Sequence, residues 1–347
     1  MRVLVVKLTS MGDVLHVMPA LSDLKAQYPD LSVDWMVEDS FAQIPDWHPS
    51  VNQVIPVATR RWRTFRWAHL GEFLAFWKQL RRQRYDAVID AQGLIKSAVF
   101  SRFARINKNG KRIGFSADSI KESPAAKFYH QKVDVDRQLH AIDRLRILFA
   151  QGFGYAKTKP QQTSQSLSKP NYGLKPSATS SRDLPTIFLL HGTTWATKHL
   201  PDEFWRKLTA LIIDDGYRVM LCWGNDVERK RAEWIADSHS HAEVLPKSSL
   251  SELKKKMSVA SGAVAVDTGL GHLAAALALP CVSIYGSTNA ELTGAVGENQ
   301  TWVQSAYPCS PCLHKTCSKL TDQVIEPPCY QEVDPATIWQ TLYEKIA

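Results

Sequence analysis

Short apolar runs alternate with helix-like segments through the first half of the chain. The predicted strands are Val3–Val6, Val33–Val37, Val54–Val57 and Ala87–Ile89. The predicted helices are Val14–Gln27, Phe73–Arg84, Ile95–Ala104 and Gln138–Ala150. Pro19 lies inside the first helix pattern and predicts that the helix begins or bends there. Such alternation predicts a parallel, doubly wound sheet.

A polar stretch, Lys157–Asp183, separates this half from a second alternating series. It is rich in Ser, Thr, Gln, Lys and Pro, which is linker composition. The second series has predicted strands at Thr186–Leu190, Arg218–Cys222, Ala263–Val266 and Val282–Tyr285. Its predicted helices are Asp202–Ile213, Val227–Ala236 and Leu250–Ala260. We therefore expect two α/β domains, residues 1–156 and 185–347, joined by a linker over 157–184, with a cleft between the domains.

Amino-acid composition limits the classes of binding partner and the cellular compartment that we expect for this chain. The 347 residues carry a formal charge of +8, which favours an anionic partner such as a phosphorylated substrate, a membrane surface or nucleic acid. No apolar run approaches the roughly 18 residues that span a bilayer, and the first residues do not resemble a signal peptide. We expect a cytosolic protein whose six cysteines need not form disulfides.

The segment Asp267–His272 follows an apolar strand pattern and precedes a helix pattern, Leu273–Leu279. A strand, a glycine-containing turn and a helix N-terminus together form an anion site, because free N–H groups point at the turn. A sugar-nucleotide pyrophosphate would fit there. The glycine spacing matches neither the P-loop nor the dinucleotide-binding pattern. An ordinary strand–helix turn explains the segment equally well when it is taken alone.

Asp13 closes the segment Thr9–Asp13, directly after the first strand. A carboxylate at this position could act as a general base on a substrate hydroxyl. It could also be an N-cap that accepts hydrogen bonds from helix N–H groups. The spacing alone favours the cap, and both interpretations place Asp13 at the end of a strand.

Two further polar segments follow strands of the second series. Thr193, Thr194 and Lys198 offer hydroxyls and an ammonium, which suit phosphate oxygens. Glu228 follows the next strand and could accept both hydroxyls of a ribose. Each group could also be an ordinary solvated side chain.

The stretch from Arg60 to Arg84 interleaves basic and aromatic residues, including Phe65 and Arg66. It is compatible with an anionic sugar-lipid acceptor, a membrane interface or nucleic acid. An amphipathic helix with a solvated basic face explains Phe73–Arg84 without any ligand. The part from Arg60 to Arg66 follows a strand, and is harder to explain in that way.

Four cysteines occur near the C-terminus, at Cys309, Cys312, Cys317 and Cys329. Four thiolates could hold zinc or an iron–sulfur cluster. Only the first pair has metal-like spacing, so we favour reduced thiols in a loop and no metal.

Several segments together resemble the heptosyltransferase I sequences of the ADP-heptose:lipopolysaccharide heptosyltransferase family, glycosyltransferase family 9. They are MRVLVVKLTSMGDVLHVMPAL, FAQIPDWHPSVNQVIPVATRRWR, YDAVIDAQGLIKSA, TKHLP, EVLPKSSL and VDTGLGHLAAAL. They run in the same order over nearly the whole chain, which is more specific than any single motif.

The resemblance implies the GT-B architecture, with two Rossmann-like domains that face each other across a cleft. It also implies inverting transfer of L-glycero-D-manno-heptose from ADP-heptose to the first Kdo of Kdo2-lipid A. No cofactor would be required, because Lys198 and a helix end can replace a divalent cation at the pyrophosphate. The enzyme would act at the cytoplasmic face of the inner membrane, in peripheral contact with its anionic surface and without nucleic acid.

The resemblance also implies residue roles. Asp13 in SMGD matches the proposed general base. The residues that match the acceptor side are Ser10, Arg60, Arg61, Arg63 and Lys121, where Lys121 stands in place of an expected arginine. The residues that match the donor side are Thr193, Thr194, Lys198, Glu228, Asp267, Thr268, Gly269 and His272. The cysteine segment departs from the heptosyltransferase I pattern and resembles the tails of related heptosyltransferases.

Three alternatives remain. A heptosyltransferase that acts later in the inner core is the nearest. A non-catalytic basic protein that binds nucleotides or anionic membranes fits the charge, but it leaves the strand-end positions of Asp13, Lys198 and Asp267 unexplained. A nicotinamide dehydrogenase is less favoured, because Leu8–Asp13 lacks the glycine fingerprint.

Overall fold

The computed structural model describes residues 1–64, 67–155, 169–174, 184–237, 239–321 and 326–347. The chain divides into two compact units, Met1–Leu174 and Lys175–Ala347, and each has its own six-stranded sheet. Every strand pairing is parallel. The predicted α/β class with parallel sheets is confirmed.

The described residues of the first unit form six strands and six α-helices. The strands are β1 (Arg2–Val6), β2 (Ser32–Glu38), β3 (Val51–Val57), β4 (Arg84–Asp90), β5 (Arg105–Phe115) and β6 (Gln131–Val133). The helices are α1 (Met11–Leu15), α2 (Met18–Gln27), α3 (Thr59–Trp62), α4 (Leu70–Leu80), α5 (Ile95–Phe103) and α6 (Ala141–Phe153). The strand order is β3-β2-β1-β4-β5-β6.

The second unit repeats this plan. Its strands are β7 (Thr186–Leu190), β8 (Arg218–Leu221), β9 (Ala242–Val244), β10 (Gly262–Val266), β11 (Cys281–Tyr285) and β12 (Gln300–Gln304). Its helices are α7 (Asp202–Asp214), α8 (Asp226–Ala236), α9 (Leu250–Met257), α10 (Gly269–Ala276), α11 (Ala290–Thr293) and α12 (Pro335–Ile346). The strand order is β12-β11-β10-β7-β8-β9.

The central strands are apolar because both faces of each sheet are covered by helices. In β1 the residues Val3 to Val6 have no solvent exposure, and the same holds for Ala263 to Val266 in β10. In each unit the first and fourth strands are neighbours, and the strand order reverses between them. Open α/β sheets bind ligands beside such a reversal, at the carboxyl ends of the strands.

Two predicted helices differ from the structure, and strands β5, β6, β9 and β12 were not predicted. The helix predicted over Val14–Gln27 is two helices, and Pro19 lies in the first turn of α2, where its ring is tolerated. The helix predicted over Phe73–Arg84 ends at Leu80, and Arg84 is the first residue of β4. Strand β5 escaped prediction because its first half, RINKNGK, is polar and mostly exposed.

Most of the predicted linker, residues 157–184, lies outside the described residues, as do Phe65 and Arg66. Residues 169–174 within that range are described and belong to the first unit. Tyr172 is buried there, and Gly173 lies against the His48 ring. In the described ranges every helix is too short or too polar to cross a bilayer.

Candidate functional site

The loop after β1 places Ser10 and Asp13 at the carboxyl edge of the first sheet. Ser10 is the N-cap of α1, and Asp13 lies in the first turn of this helix. Asp13 Oδ2 accepts hydrogen bonds from the Ser10 backbone N–H at 2.9 Å and from Ser10 Oγ at 2.7 Å. Asp13 is therefore not itself the N-cap, contrary to one interpretation of the sequence. Its carboxylate instead accepts hydrogen bonds from Ser10, which is the N-cap residue.

Asp13 also lies beside a buried ammonium. Lys7 Nζ is 3.5 Å from Asp13 Oδ1, and it donates to the Ala91 carbonyl at 3.2 Å. The protein atoms around Asp13 partly desolvate its carboxylate, which by itself raises the pKa of this group. Lys7, His16 and the two Ser10 hydrogen bonds outweigh that effect, so the pKa of Asp13 lies well below its usual value. The Asp13 side chain is 44% exposed, so an ionised, oriented carboxylate is accessible from solvent.

Three arginines follow β3, and their surroundings differ. Arg61 donates to Asp39 at 2.9 Å and to Glu72 through two nitrogens, and these hydrogen bonds, with Glu72 foremost, raise its pKa. The guanidinium of Arg60 lies 5.8 Å from the centroid of the Phe41 ring. Arg60 and Arg63 are exposed, and no described carboxylate lies within ion-pair distance of either. Arg60 and Arg63 are therefore the cations of this turn that are available to an anion.

Lys96, which the sequence analysis did not single out, joins this basic group. Its ammonium donates to Thr59 Oγ1 at 2.9 Å, and the same hydroxyl donates to the buried Glu38 at 2.6 Å. Partial burial lowers the pKa of Lys96, and the charges of Arg60 and Arg63 lower it further. Lys121 is exposed after β5, next to a glutamate whose carboxylate accepts the Ile95 N–H at the start of α5.

In the second unit, Lys198 and Asp267 meet across the ends of β7 and β10. Lys198 Nζ lies 2.6 Å from Asp267 Oδ2, and Thr288 Oγ1 donates to the same oxygen at 2.6 Å. The Lys198 ammonium is also 4.5 Å from the centroid of the Trp195 ring. The structure thus brings together two residues that are 69 positions apart by their numbering and that the sequence assigned to one site.

The other predicted donor-side residues surround this pair. Thr193 Oγ1 donates to the Asp267 backbone carbonyl at 3.0 Å, and Thr194 beside it is exposed. Thr268 is the N-cap of α10, and Gly269 is its first residue. The N–H groups of that first turn have no partner inside the helix, so they can meet an anion. His272 is buried within α10.

Glu228 lies in the first turn of α8, at the end of β8. Its Oε2 accepts the Gly224 N–H at 2.8 Å. A Cβ at Gly192 would lie 2.9 Å from the Glu228 carboxyl carbon, so glycine there permits the carboxylate to approach the end of β7. Glu228 thus lies next to the segment that carries Thr193.

The cysteine segment packs against the end of β11. Ser310 Oγ donates to the Gly286 carbonyl at 2.6 Å, and the Leu313 N–H donates to the Ser287 carbonyl at 2.7 Å. Its four cysteines, Cys309, Cys312, Cys317 and Cys329, are free thiols. Burial, followed by the proximity of the other three cysteines, raises the pKa of Cys329 to about 11. Among the described residues, no group of three or more His, Cys, Asp or Glu side chains is arranged to hold a metal ion.

Comparison with known proteins identifies the family. The family model described as "Glycosyltransferase family 9 (heptosyltransferase)" matches residues 73–321. Lipopolysaccharide heptosyltransferase 1 of Pseudomonas aeruginosa is 43% identical, covering 97% of this chain and 96% of the relative. The chain belongs to glycosyltransferase family 9. The Escherichia coli K12 heptosyltransferase 1 is also 43% identical, covering 86% of this chain and 92% of the relative.

Solved structures of family 9 enzymes share the fold. E. coli heptosyltransferase WaaC with ADP superposes with a TM-score of 0.84 at 37% identity, covering 99% of this chain and all of the other. WaaC with ADP-2-deoxy-2-fluoro heptose gives a TM-score of 0.78 at 41% identity, covering 88% of this chain and 93% of the other. The predicted family and GT-B class are therefore confirmed, and this glycosyltransferase has two parallel-sheet α/β units.

Some residues of the glycosyltransferase site were missed at the sequence level. Thr288 lies three residues after the end of β11, so the rule that ligands meet strand ends could have found it. Lys96 lies in the segment AQGLIKSA, but nothing in its spacing distinguishes it from other helix lysines. In the sequence, Lys7 is only the residue that follows a predicted strand. Its contact with Asp13 is seen only in the folded structure.

Proposed function

We propose that this chain catalyses inverting transfer of L-glycero-D-manno-heptose from ADP-heptose to the first Kdo of Kdo2-lipid A, with Asp13 as the general base. The observation that carries the proposal is the environment of Asp13. Its carboxylate is ionised, accessible and oriented by Ser10 and Lys7 at the carboxyl edge of a nucleotide-binding-type sheet. A group held in this way can accept a proton from an attacking hydroxyl.

The reaction is a single displacement. The acceptor hydroxyl oxygen attacks the anomeric carbon from the face opposite ADP, and a new glycosidic bond forms as the bond to the diphosphate breaks. The hydroxyl proton passes to Asp13, and the bonding electron pair leaves with ADP. The hydroxyl becomes strongly acidic only as the new bond forms, so even a carboxylate of low pKa can take the proton at that moment.

The acceptor side supplies positive charge. Arg60, Arg63 and Lys96 interact at the carboxyl edge of the first sheet, and Lys121 is exposed near the start of α5. Kdo carboxylates and lipid A phosphates are anions that such groups bind well. Arg61 already binds Asp39 and Glu72, so its role in this proposal is to hold the turn.

The donor side offers groups for each part of ADP-heptose. Lys198, Thr193, Thr194 and the first turn of α10 would bind the diphosphate. Glu228 would accept the ribose hydroxyls, since a carboxylate takes two donors. Asp267 and His272 would face the heptose. Lys198 would stabilise the charge that develops on departing ADP, the step at which electrostatic help matters most.

The test measures ADP release with ADP-heptose, with and without Kdo2-lipid A. We expect acceptor-dependent release and a product heavier by one heptose. Asp13→Asn should lose at least about a hundredfold in turnover, the scale of general-base catalysis, and should still bind ADP. Asp226→Asn, a change of the same type at an exposed helix residue, is the control. Normal turnover by Asp13→Asn would remove this residue from the mechanism.

The competing assignment for the acceptor is an inner-core saccharide that already carries one heptose. The same assay with an acceptor that already carries one heptose separates the first transfer from a later one. Release with Kdo2-lipid A alone supports the proposal. Release only with the heptosylated acceptor would move this enzyme to a later step of inner-core synthesis.

A surface of the first unit suits peripheral contact with an anionic membrane. Helix α4 exposes Leu74 to 58% and Leu70 to 37%. Its first turn is held beside the basic turn α3 by the Arg61–Glu72 ion pair and by the Trp62 and Phe73 rings, 5.3 Å apart. Exposed leucines next to basic groups favour the interface of an anionic bilayer.

Co-sedimentation with vesicles tests this contact. The wild-type protein should sediment with vesicles that contain phosphatidylglycerol, and less with phosphatidylcholine alone. Leu74→Glu should lower the bound fraction, whereas Val259→Glu, at an exposed valine of the second unit, should not. Equal binding by both variants would reject α4 as the contact.

A further inference from the structure

Two lysines share one indole ring in the second unit. Lys198 Nζ lies 4.5 Å from the centroid of the Trp195 ring, and Lys315 Nζ lies 5.6 Å from the same centroid. Lys198 ends the short helical turn Ala196–Lys198 in the loop after β7, whereas Lys315 lies in the cysteine segment, far along the chain. The fold therefore brings a second ammonium beside the predicted diphosphate site.

The two residues before Lys315 are hydrogen-bonded to segments that carry the site. Thr197 Oγ1 donates to the His314 carbonyl at 2.6 Å, and Thr197 is the residue before Lys198. Leu313, the residue before His314, donates its N–H to the Ser287 carbonyl at 2.7 Å, and Ser287 precedes Thr288. Lys315 is thus positioned by hydrogen bonds to Thr197 and Ser287, the residues that precede Lys198 and Thr288 in the chain.

The charges of the two lysines are balanced differently. Lys198 is paired with Asp267 at 2.6 Å, so the pair contributes no net charge. Lys315 is exposed, and no carboxylate among the described residues lies within ion-pair distance of it. A nucleoside diphosphate carries at least two negative charges, so a neutral pair alone leaves that charge uncompensated. An unpaired ammonium next to the pair supplies the missing attraction.

We propose that Lys315 is a second donor-binding cation, which contacts the diphosphate of the nucleotide sugar from the cysteine segment. The proposal rests on the proposed function of this site as the ADP-heptose site. It assigns the cysteine segment a role in the reaction, as the loop that presents this lysine, and the role needs no metal.

Calorimetric titration of the full chain with ADP and with AMP tests the proposal. Lys315→Gln should weaken ADP binding about two- to fivefold, the range for one exposed ion pair. Its effect on AMP should be smaller, because AMP lacks the second phosphate. Lys315→Arg should keep most of the affinity, and the KM for ADP-heptose should follow the same order.

Lys319→Gln is the matched control, since Lys319 is an exposed lysine of the same segment. Weaker ADP binding by Lys315→Gln but not by Lys319→Gln supports the proposal. Wild-type binding of ADP with no difference between the two variants overturns the proposal and leaves the proposed function intact. Failure of the wild-type protein to bind ADP at all would overturn both.

Discussion

Lys198 and Asp267 form an ion pair of 2.6 Å that is almost closed to solvent, with side chains 14% and 10% exposed. Thr288 supplies a further hydrogen bond to the same carboxylate oxygen. A pair in this position is pre-oriented before any donor arrives, because each partner holds the other in one rotamer. The arrangement also means that loss of either charge leaves its partner buried alone.

We expect Lys198→Met to destabilise the protein by about 2–3 kcal/mol, because Asp267 would lose its counter-charge in a site of low exposure. The double variant Lys198→Met/Asp267→Asn should be more stable than Lys198→Met, although both should lose transfer. Urea unfolding measures the stabilities. Additive losses in the double variant would show that the two residues are not coupled.

The pH dependence of transfer should report the Lys7–Asp13 contact. The pKa of Asp13 is depressed, so the carboxylate is ionised throughout the range above its usual value, and protonation of Asp13 should not limit the wild-type enzyme from pH 8 to about 5. Lys7→Met removes the strongest influence that lowers this pKa and leaves the partial desolvation that raises it. The ratio of variant to wild-type kcat/KM should therefore fall as the pH falls.

Lys96→Met serves as the control for this measurement, because it also removes a lysine of the first unit but does not contact Asp13. Its ratio to the wild type should not fall with pH in the same way. A pH-independent ratio for Lys7→Met would show that Lys7 does not set the ionisation of Asp13.

His48 should make the first unit sensitive to acid. The ring is 2% exposed, and burial lowers the pKa of His48 to about 4. The unfolded chain, with an ordinary histidine pKa near 6.5, binds the proton more tightly than the folded one. Stability should therefore fall as the pH drops from about 6.5 to about 4, by about 3 kcal/mol in total.

A hydrogen bond of the His48 ring also opposes its protonation in the folded protein. His48 Nδ1 accepts the Ser50 N–H at 3.2 Å, so Nδ1 cannot also take up a proton without losing that bond. Urea unfolding at pH 7, 6 and 5 should show a shallower decline for His48→Gln than for the wild type. Parallel declines would assign the acid sensitivity to other groups.

Gly286 should tolerate no side chain. A Cβ there would lie 2.6 Å from atoms of the Tyr330 ring, whose hydroxyl donates to the Thr197 carbonyl at 3.0 Å. We expect Gly286→Ala to cost about 1–3 kcal/mol by overpacking, and to raise the KM for ADP-heptose because Thr197 precedes Lys198.

Gly71→Ala is the matched control for this substitution. A Cβ at Gly71 meets nothing within 4 Å, and the residue lies in α4. The change should stabilise the protein by about 0.5–1 kcal/mol through the helix propensity of alanine. Thermal unfolding measures both variants. An unchanged Tm for Gly286→Ala would mean that the Tyr330 ring can move aside at little cost.

Elements that bury apolar residues on both faces were predictable from sequence, because such strands read as continuous apolar runs. Strands β1, β7, β10 and β11 were found for this reason. Strand β5 was not, because residues such as Lys108 and Lys111 are exposed along it, and the sheet rather than the local sequence makes this segment extended.

The residues of the candidate site also fall into those that the sequence predicts and those that it does not. Asp13 and Asp267 were found because polar residues after apolar runs must fall at one edge of a parallel sheet. Contacts between distant segments had no local signal. The Lys7 ammonium at Asp13 and the Thr288 hydroxyl at Asp267 depend on how loops from different strands return to that edge.

The strand order reverses once in each sheet. In each sheet, a side chain from the loop after one of the two strands at the reversal accepts from or donates to the backbone after the other strand. Gln92 Oε1 accepts the Leu8 and Thr9 N–H groups between β4 and β1, and Thr193 Oγ1 reaches the Asp267 carbonyl between β7 and β10. Under the proposed function, acceptor and donor recognition are encoded in separate halves of the gene. Loops of the first half could diverge toward a new acceptor while the second half kept the same activated sugar.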